Sequence, residues 1–402
     1  MNSTIAFLKS LFPPVCHDRI FLVGGCVRDM LLDKESRDLD LAAALSPGEF
    51  LAAGFRLVEG KSTAPIWFRY DADFGKIEAT QLTGVADLAA DLAGRDFTAN
   101  AIAMGLGSGI IDPLEGRRDL ERRLLRACSP GSFLADPLRI FRALRFEADG
   151  WRMSPETETL ARELDWATHL APIPVERFTR EMLKALESPE PERFFRRMLE
   201  LKAGEGMLPE LFRMAAIPAG PLFHHPEGDL FTHSIQVLAR ATERTTAPLS
   251  RFCALFHDLG KLTTDPADYP KHHGHDKAGF AMAHSFCNRL RLPAEYRTAL
   301  AWTSRLHATL NRWTELRGAT RVRMAAQALK AGIAVILPLV SSADKGVAVE
   351  LTEWERAVRV ARMSATELGI DLEHLEAMAA ENRPDLILQK RVEMLRKESL
   401  NP

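Results

Sequence analysis

From Arg19 to about Ile111, short runs of β-branched and aromatic residues alternate with short helical stretches. "RIFLVGG", "DLDLAAA", "APIWFRY" and "GKIEATQL" read as strands, which predicts a mixed α/β unit. After Asp112 strand signals almost vanish. The apolar period lengthens to that of a helix in "PLRIFRALRFEA", "PVERFTREMLKAL" and "EPERFFRRMLELK", so the remainder is expected to be a helical body. "SPGSF", "APIPV", "IPAGP" and "DPADYP" punctuate it as loops. The last segment, "DLILQKRVEMLRKESLNP", predicts one amphipathic, basic helix that packs on the body or touches RNA.

At 402 residues the chain is too long for one ordinary core, so two to four units are expected. An apolar content of 46% with 26% charged residues excludes disordered and collagen-like classes. The longest apolar run, Ala331 to Val340, is interrupted by Pro338 and too short to span a bilayer, and Lys9 interrupts the N-terminal apolar stretch. A cytoplasmic protein with no membrane partner is the expectation. The five cysteines are odd in number, scattered and never spaced C-x-x-C, which predicts free, mostly buried thiols. A net charge of −2 does not advertise nucleic-acid binding by the whole molecule. Basic runs in "EGRRDLERRLLRA" and "RIFRALRF" can still steer a polyanion locally, although each taken alone reads as a solvated helix face.

The chemistry begins in "FLVGGCVRDMLLDKESRDLDLA". Residues two apart on a strand share a face, so Asp38 and Asp40 point the same way, roughly 6 to 7 Å apart. Two such carboxylates suit Mg²⁺, which takes one or two carboxylates plus waters and substrate phosphates. Gly24 and Gly25 lie between a strand and a helix start, where bare N–H groups can hold anionic oxygens, and Arg28 follows on the first helical turn. Glu78 in "GKIEATQL" is the candidate third carboxylate; an outward polar residue on an edge strand would read the same.

"LVGGCVRDMLL", "RDLDLA", "RDFTANAIAMG", "IIDPLEGRRDL" and "ADPLRIFRALRF" resemble, in order, the motifs of bacterial class II nucleotidyltransferases, the tRNA CCA-adding enzymes and their poly(A) polymerase relatives. The resemblance spans roughly residues 20 to 190. It implies an α/β nucleotidyltransferase head of the DNA polymerase beta-like superfamily over residues 1–125. An all-α helical neck (126–200), an HD-type body (201–360) and a helical tail (361–402) would follow. It implies that Asp38 and Asp40 hold two Mg²⁺ ions; Glu78, the candidate read from the strand pattern, is expected beside them as a catalytic carboxylate. Arg95 and Asp96 would contact triphosphate and ribose, and Asn100 would shape the nucleotide pocket. Asp136 and Arg139, three apart and expected on one helix face, would hydrogen-bond the Watson–Crick edge of C or A. Arg142 completes the implied nucleotide-binding set with Gly24, Gly25 and Arg28. The implied partners are the tRNA 3′ end, CTP and ATP.

Three departures from the family pattern qualify this. Ala135 stands where the family has a glutamate before the aspartate, so Arg139 must be oriented from elsewhere. The doubled arginine before Asp96 is reduced to Gly94-Arg95. The long flexible segment that CCA-adding members carry before the second motif is missing, since "IEATQLTGVADLAADLAGRDFT" runs almost directly between the motifs. Members lacking that segment typically stop after two C residues, so CC addition is expected.

"GDLFTHSIQVL", "CALFHDLGKL", "KHHGHDKAG" and "VSSADKGV" resemble the HD phosphohydrolase superfamily. His233, His257, Asp258 and Asp344 match its metal ligands, with Lys261, His275 and His307 nearby in the pattern. A divalent metal is implied, serving either phosphohydrolase chemistry or as a structural staple. The expected function is nucleotidyl transfer to the tRNA 3′ end. A poly(A) polymerase or A-adding enzyme, and an HD phosphohydrolase with a silent RNA-binding head, are the alternatives.

Overall fold

The computed structural model describes residues 2–35, 38–58, 64–346 and 352–400; Arg37 of the "RDLDLA" motif lies outside them. Contacts divide the chain into two units, residues 1–169 and 170–402.

The first unit is built on a seven-stranded mixed sheet of order β3-β4-β5-β2-β1-β6-β7. Its strands are β1 (Ile20–Val23), β2 (Asp38–Ala43), β3 (Arg56–Val58), β4 (Ile66–Asp71), β5 (Gly75–Gln81), β6 (Ala103–Gly105) and β7 (Gly109–Ile111). All four strands read from the sequence are present. The three-residue strands β3, β6 and β7 are too short to show a period. Among the described residues of this sheet, β2 and β5 alone pair in parallel, and every residue of β1 is buried, as expected of a central strand covered on both faces.

Along β2 the alternation places Leu39 and Leu41 in the core and leaves Asp38 and Asp40 on the open face. β1 is followed by Gly24, whose φ of +80° is a region L-residues with a side chain rarely adopt, and helix α1 (Gly25–Leu31) starts directly after it. After β5 the chain makes a tight turn in which Asp87 accepts from Gly84 N. It then enters helix α2 (Leu88–Ala93), whose Leu88 and Leu92 join Phe21, Val23, Ala42 and Ala103 in one apolar cluster. The stretch between Glu78 and Arg95 is therefore compact and anchored in the core.

Helix α3 (Ser132–Ala135) stops at Asp136 (ψ 100°), and helix α4 (Arg139–Ala148) begins three residues later. This corrects the expectation that Asp136 and Arg139 share a helix face. Pro137 disfavours helical backbone at the residue before it, so Asp136 is extended and accepts from Leu138 N (3.2 Å) at the mouth of α4.

The second unit is helical. Helices α5 (Val175–Glu187) and α6 (Pro191–Glu200) precede a bundle of α7 (Leu230–Thr242), α8 (Pro248–Phe256), α9 (His275–Arg289), α10 (Ala294–Leu310) and α11 (Ile336–Lys345). Phe252, Phe256, Phe286 and Tyr296 form its aromatic centre. Gly260, just after α8, lies so close to the start of α9 that a Cβ there would collide with the His275 carbonyl and the Gly279 backbone N. The C-terminal stretch forms the expected helix, Arg383–Leu400. The five cysteines are free, and all but Cys128 are buried. Among the described residues no helix is long and apolar enough to cross a membrane.

Candidate functional site

In the head, Asp40 and Glu78 are register partners across β2 and β5, with Asp38 opposite Lys76. Glu78 pairs with Lys76 at 2.6 Å. Gly24 brings the glycine turn to the same place. A Cβ on it would lie 2.7 Å from Arg95 Nη1 and 3.5 Å from Asp40 Oδ2, so glycine, arginine and aspartate meet in one cleft. Although Asp40 lies on the open face, the surrounding cleft partly desolvates its carboxyl and holds it above its usual range; Arg95 opposes this and Glu78 adds to it. An oxygen-only donor set on one strand face, with a cationic side chain beside it, fits a hard divalent cation and its phosphate ligands.

A hydrogen-bonded chain runs through the pocket wall. Arg28 donates to Asn100 Oδ1 (2.8 Å), Asn100 donates to Asp96 Oδ1 (2.9 Å), and Arg142 closes on Asp96 Oδ2 (2.7 Å). Asp96 is only 6% exposed. Burial pushes its pKa up, but Arg142, Asn100 and the Phe97 N–H outweigh this and hold the carboxyl below the usual range. Asp96 thus organises Arg28, Asn100 and Arg142 from behind. Arg95 rests on Asp91 (2.9 Å), one turn back along α2.

Arg139 has no carboxylate partner among the described residues. Its Nη1 donates to Arg95 O (3.0 Å) and to Ser132, at Oγ (2.9 Å) and O (3.2 Å), while Nη2 donates to Gly94 O (2.6 Å). The Nε–H and the neighbouring Nη2 hydrogen remain as a two-donor fork, suited to paired acceptors. Nothing in the sequence pattern pointed to Ser132.

The second cluster gathers all four residues read as ligands. His233 Nε2 lies 3.2 Å from Asp344 Oδ1 and 3.7 Å from Asp258 Oδ2, and His257 Nε2 lies 3.3 Å from Asp258 Oδ2. These separations are short, yet His233 Nε2, His257 Nε2 and Asp258 Oδ1 are buried without a hydrogen-bond partner. Polar atoms buried, close and unbonded are what an ion at their centre would satisfy.

The far ring nitrogens are all tied. His233 Nδ1 meets Glu227 (2.7 Å), and His257 Nδ1 the Ala254 carbonyl (2.9 Å). His275 Nδ1 meets the His272 carbonyl (2.7 Å), and His307 Nδ1 that of Ser304 (3.0 Å). Each contact fixes the tautomer that leaves Nε2 as an acceptor for metal. His275 and His307 approach the other Asp258 oxygen, at 3.4 and 3.3 Å, and Lys261 sits 2.6 Å from Asp258 Oδ2. Burial lowers the His257 pKa, but Asp258 and Asp344 overcome it and push the imidazole up to about 10, a measure of how strongly these carboxylates demand positive charge. Glu227 and Asn311, which donates to Asp344 Oδ2 (3.0 Å), were not legible in the sequence.

A mixed-sheet head with glycine turn and paired aspartates, followed by a helical neck and a histidine–aspartate helical domain, is the build of a nucleotidyltransferase joined to an HD domain. Residues 20–59 and 56–126 match the "Poly A polymerase head domain", 152–214 the "Probable RNA and SrmB- binding site of polymerase A", and 230–337 the "HD domain". The chain is 34% identical over 334 residues to the multifunctional CCA protein of Legionella pneumophila, covering 77% of this chain and 79% of that protein. It is 37% identical over 324 residues to the multifunctional CCA protein of Teredinibacter turnerae, covering 76% and 78%. Its fold matches that of the Thermotoga maritima CCA-adding enzyme complexed with tRNA, with a TM-score of 0.64 at 18% identity over 98% and 97% of the two chains. The chain belongs to the family of CCA-adding nucleotidyltransferases. Both of its domain types generally work with divalent metals, and the histidine–aspartate groups of the second unit are candidate ligands.

Proposed function

We propose that the head transfers CMP from CTP to the 3′-hydroxyl of tRNA and stops after two additions. The observation that supports this most is the meeting of Gly24, Arg95 and the Asp38–Asp40 face in one cleft. Asp38 and Asp40, with Glu78 alongside, would hold two Mg²⁺ ions. Bound there, Mg²⁺ lowers the pKa of the attacking hydroxyl and screens the triphosphate and the departing pyrophosphate. The side chains otherwise supply position and charge. Arg95 leaves Asp91 for the phosphates, Arg28 flanks them, and Asn100 shapes the nucleotide pocket, while the buried Asp96, both of its oxygens held by Phe97 N, Asn100 and Arg142, braces the pocket from behind and does not itself reach the ribose. The Arg139 fork donates to the unprotonated ring nitrogen of the base, and in C also to the carbonyl oxygen beside it, while Asp136 accepts from the amino group; on the Watson–Crick edge C and A offer an amino group next to a bare ring nitrogen, and U and G do not.

The compact, core-anchored stretch from Glu78 to Arg95 supports the limit of two, because it leaves no long flexible segment to reset the pocket for ATP. The names of the relatives favour a second reading, in which AMP is also added. Supplying tRNA that already ends in CC, with ATP alone, separates the two. No extension is expected, and addition of one A establishes the second reading. A homopolymeric A tail contradicts both.

The HD cluster would hold a divalent metal on His233, His257, Asp258 and Asp344. A metal there supplies polarisation of a phosphoryl oxygen or a water, which suits hydrolysis of a phosphomonoester or 2′,3′-cyclic phosphate. Release of phosphate from a phosphomonoester, or opening of a 2′,3′-cyclic phosphate to the monoester, lost in Asp258→Ala, tests this domain by itself.

A further inference from the structure

We infer that the hydroxyl of Ser132 aims the base-reading guanidinium, making Ser132 a positioning residue for nucleotide selection. The inference rests on the reading of Arg139 as the residue that donates to the incoming base.

An arginine side chain has several rotatable bonds, and reading a base edge requires its plane to be fixed. A neighbouring carboxylate could do this, but among the described residues the arginine donates to neutral oxygens alone: the carbonyls of Gly94, Arg95 and Ser132 and the Ser132 hydroxyl. The three carbonyls belong to backbone and are fixed by the fold. The hydroxyl is the one side-chain acceptor of the set, and it is itself immobilised. Ser132 is 1% exposed, and its Oγ donates to the Asp96 carbonyl at 3.1 Å. With its hydrogen committed there, the Oγ lone pairs face Arg139 Nη1 at 2.9 Å.

Two consequences follow. The Nη1 side of the guanidinium is locked, so the Nε–Nη2 fork can point only one way. And the lock hangs from Asp96, whose carboxylate holds Arg142 and Asn100, so the phosphate side and the base side of the pocket share one support. Neutral acceptors also leave the arginine's positive charge uncompensated for the nucleotide.

The test uses the full chain and tRNA lacking its 3′ end, with kcat/KM measured for CTP and for UTP. Ser132→Ala removes the hydroxyl and keeps the carbonyl. It is expected to lower the CTP-over-UTP preference on the order of tenfold, the scale of one hydrogen bond to a charged group. Ser132→Thr, which keeps the hydroxyl, is expected to stay within about twofold of the parent. Should the alanine variant fail to fold, Ser132→Cys keeps the volume with a poor acceptor and is expected to show the same loss. An unchanged preference in a folded Ala or Cys variant, or a parallel fall for both nucleotides, overturns the inference. Arg139→Ala separates base reading from positioning. If it preserves the preference, the base-reading role fails; if it erases the preference while the Ser132 variants do not, the positioning role alone fails.

Discussion

Asp40 and Glu78 are direct partners across the parallel pairing of β2 with β5, and Lys76 closes on Glu78 from two residues away. Partial desolvation in the cleft holds the Asp40 carboxyl above its usual range; Arg95 opposes this and the neighbouring Glu78 adds to it. Ionised Asp40 therefore weakens the fold: the cost is absent below the ordinary value of 3.8 and grows as pH rises through the raised one. Asp40→Asn is expected to raise Tm at neutral pH while lowering CMP incorporation by about a hundred- to a thousandfold, the scale of losing a charge-stabilising group at the reacting centre. Thermal melts and single-turnover incorporation on the same preparation check both halves.

Asp96 behaves in the opposite sense. Its burial is outweighed by Arg142, Asn100 and the Phe97 N–H, so its stabilisation is fully present above the ordinary value of 3.8 and is lost as pH falls through the lowered one. Asp96→Asn leaves Arg142 facing an amide and is expected to cost about 3 kcal/mol. Denaturant melts at pH 7 should show the loss, with the gap between variant and parent narrowing below pH 4.

Gly24→Ala should damage both fold and activity. The backbone there has φ +80°, and the added methyl meets Arg95 Nη1 at 2.7 Å. A cost of about 1 to 3 kcal/mol from the strain is expected, with Arg95 displaced toward solvent. The kinetic signature is a raised KM for CTP, and an unchanged KM would remove Arg95 from the phosphate role.

How far the sequence foretold this arrangement depended on the kind of signal. Asp38 and Asp40 were legible because a strand imposes a period of two on its side chains, and the four HD residues because their order and types are distinctive. The Asp136–Arg139 pair was misread, since three-residue spacing suggested a helix and Pro137 prevents one. The partners of Arg139 were invisible for a deeper reason: three of the four are backbone carbonyls, which have no letter in a sequence. Glu227 lies six residues before His233 in "HHPEGDLFTH", a spacing with no helical or strand meaning until the loop folds back to put its carboxylate on Nδ1.

Glu227 also yields a prediction. Because it fixes the His233 tautomer, Glu227→Gln is expected to weaken Mn²⁺ binding to the HD cluster about 10- to 100-fold, and Asp258→Ala to abolish it. Calorimetric titration of metal-stripped protein reads both. Equal affinity in parent and Asp258→Ala protein would mean that the cluster is a hydrogen-bonded core and not a metal site.

The central claim is that the carboxylate face of β2 performs nucleotidyl transfer onto tRNA. Its most direct test is to mix tRNA lacking its 3′ end with labelled CTP and Mg²⁺ and to resolve product lengths for the parent and for the Asp38→Asn, Asp40→Asn double variant. The account predicts products longer by two nucleotides with the parent and none with the double variant. No extension by the folded parent, or the same two-nucleotide extension by the double variant, would contradict it.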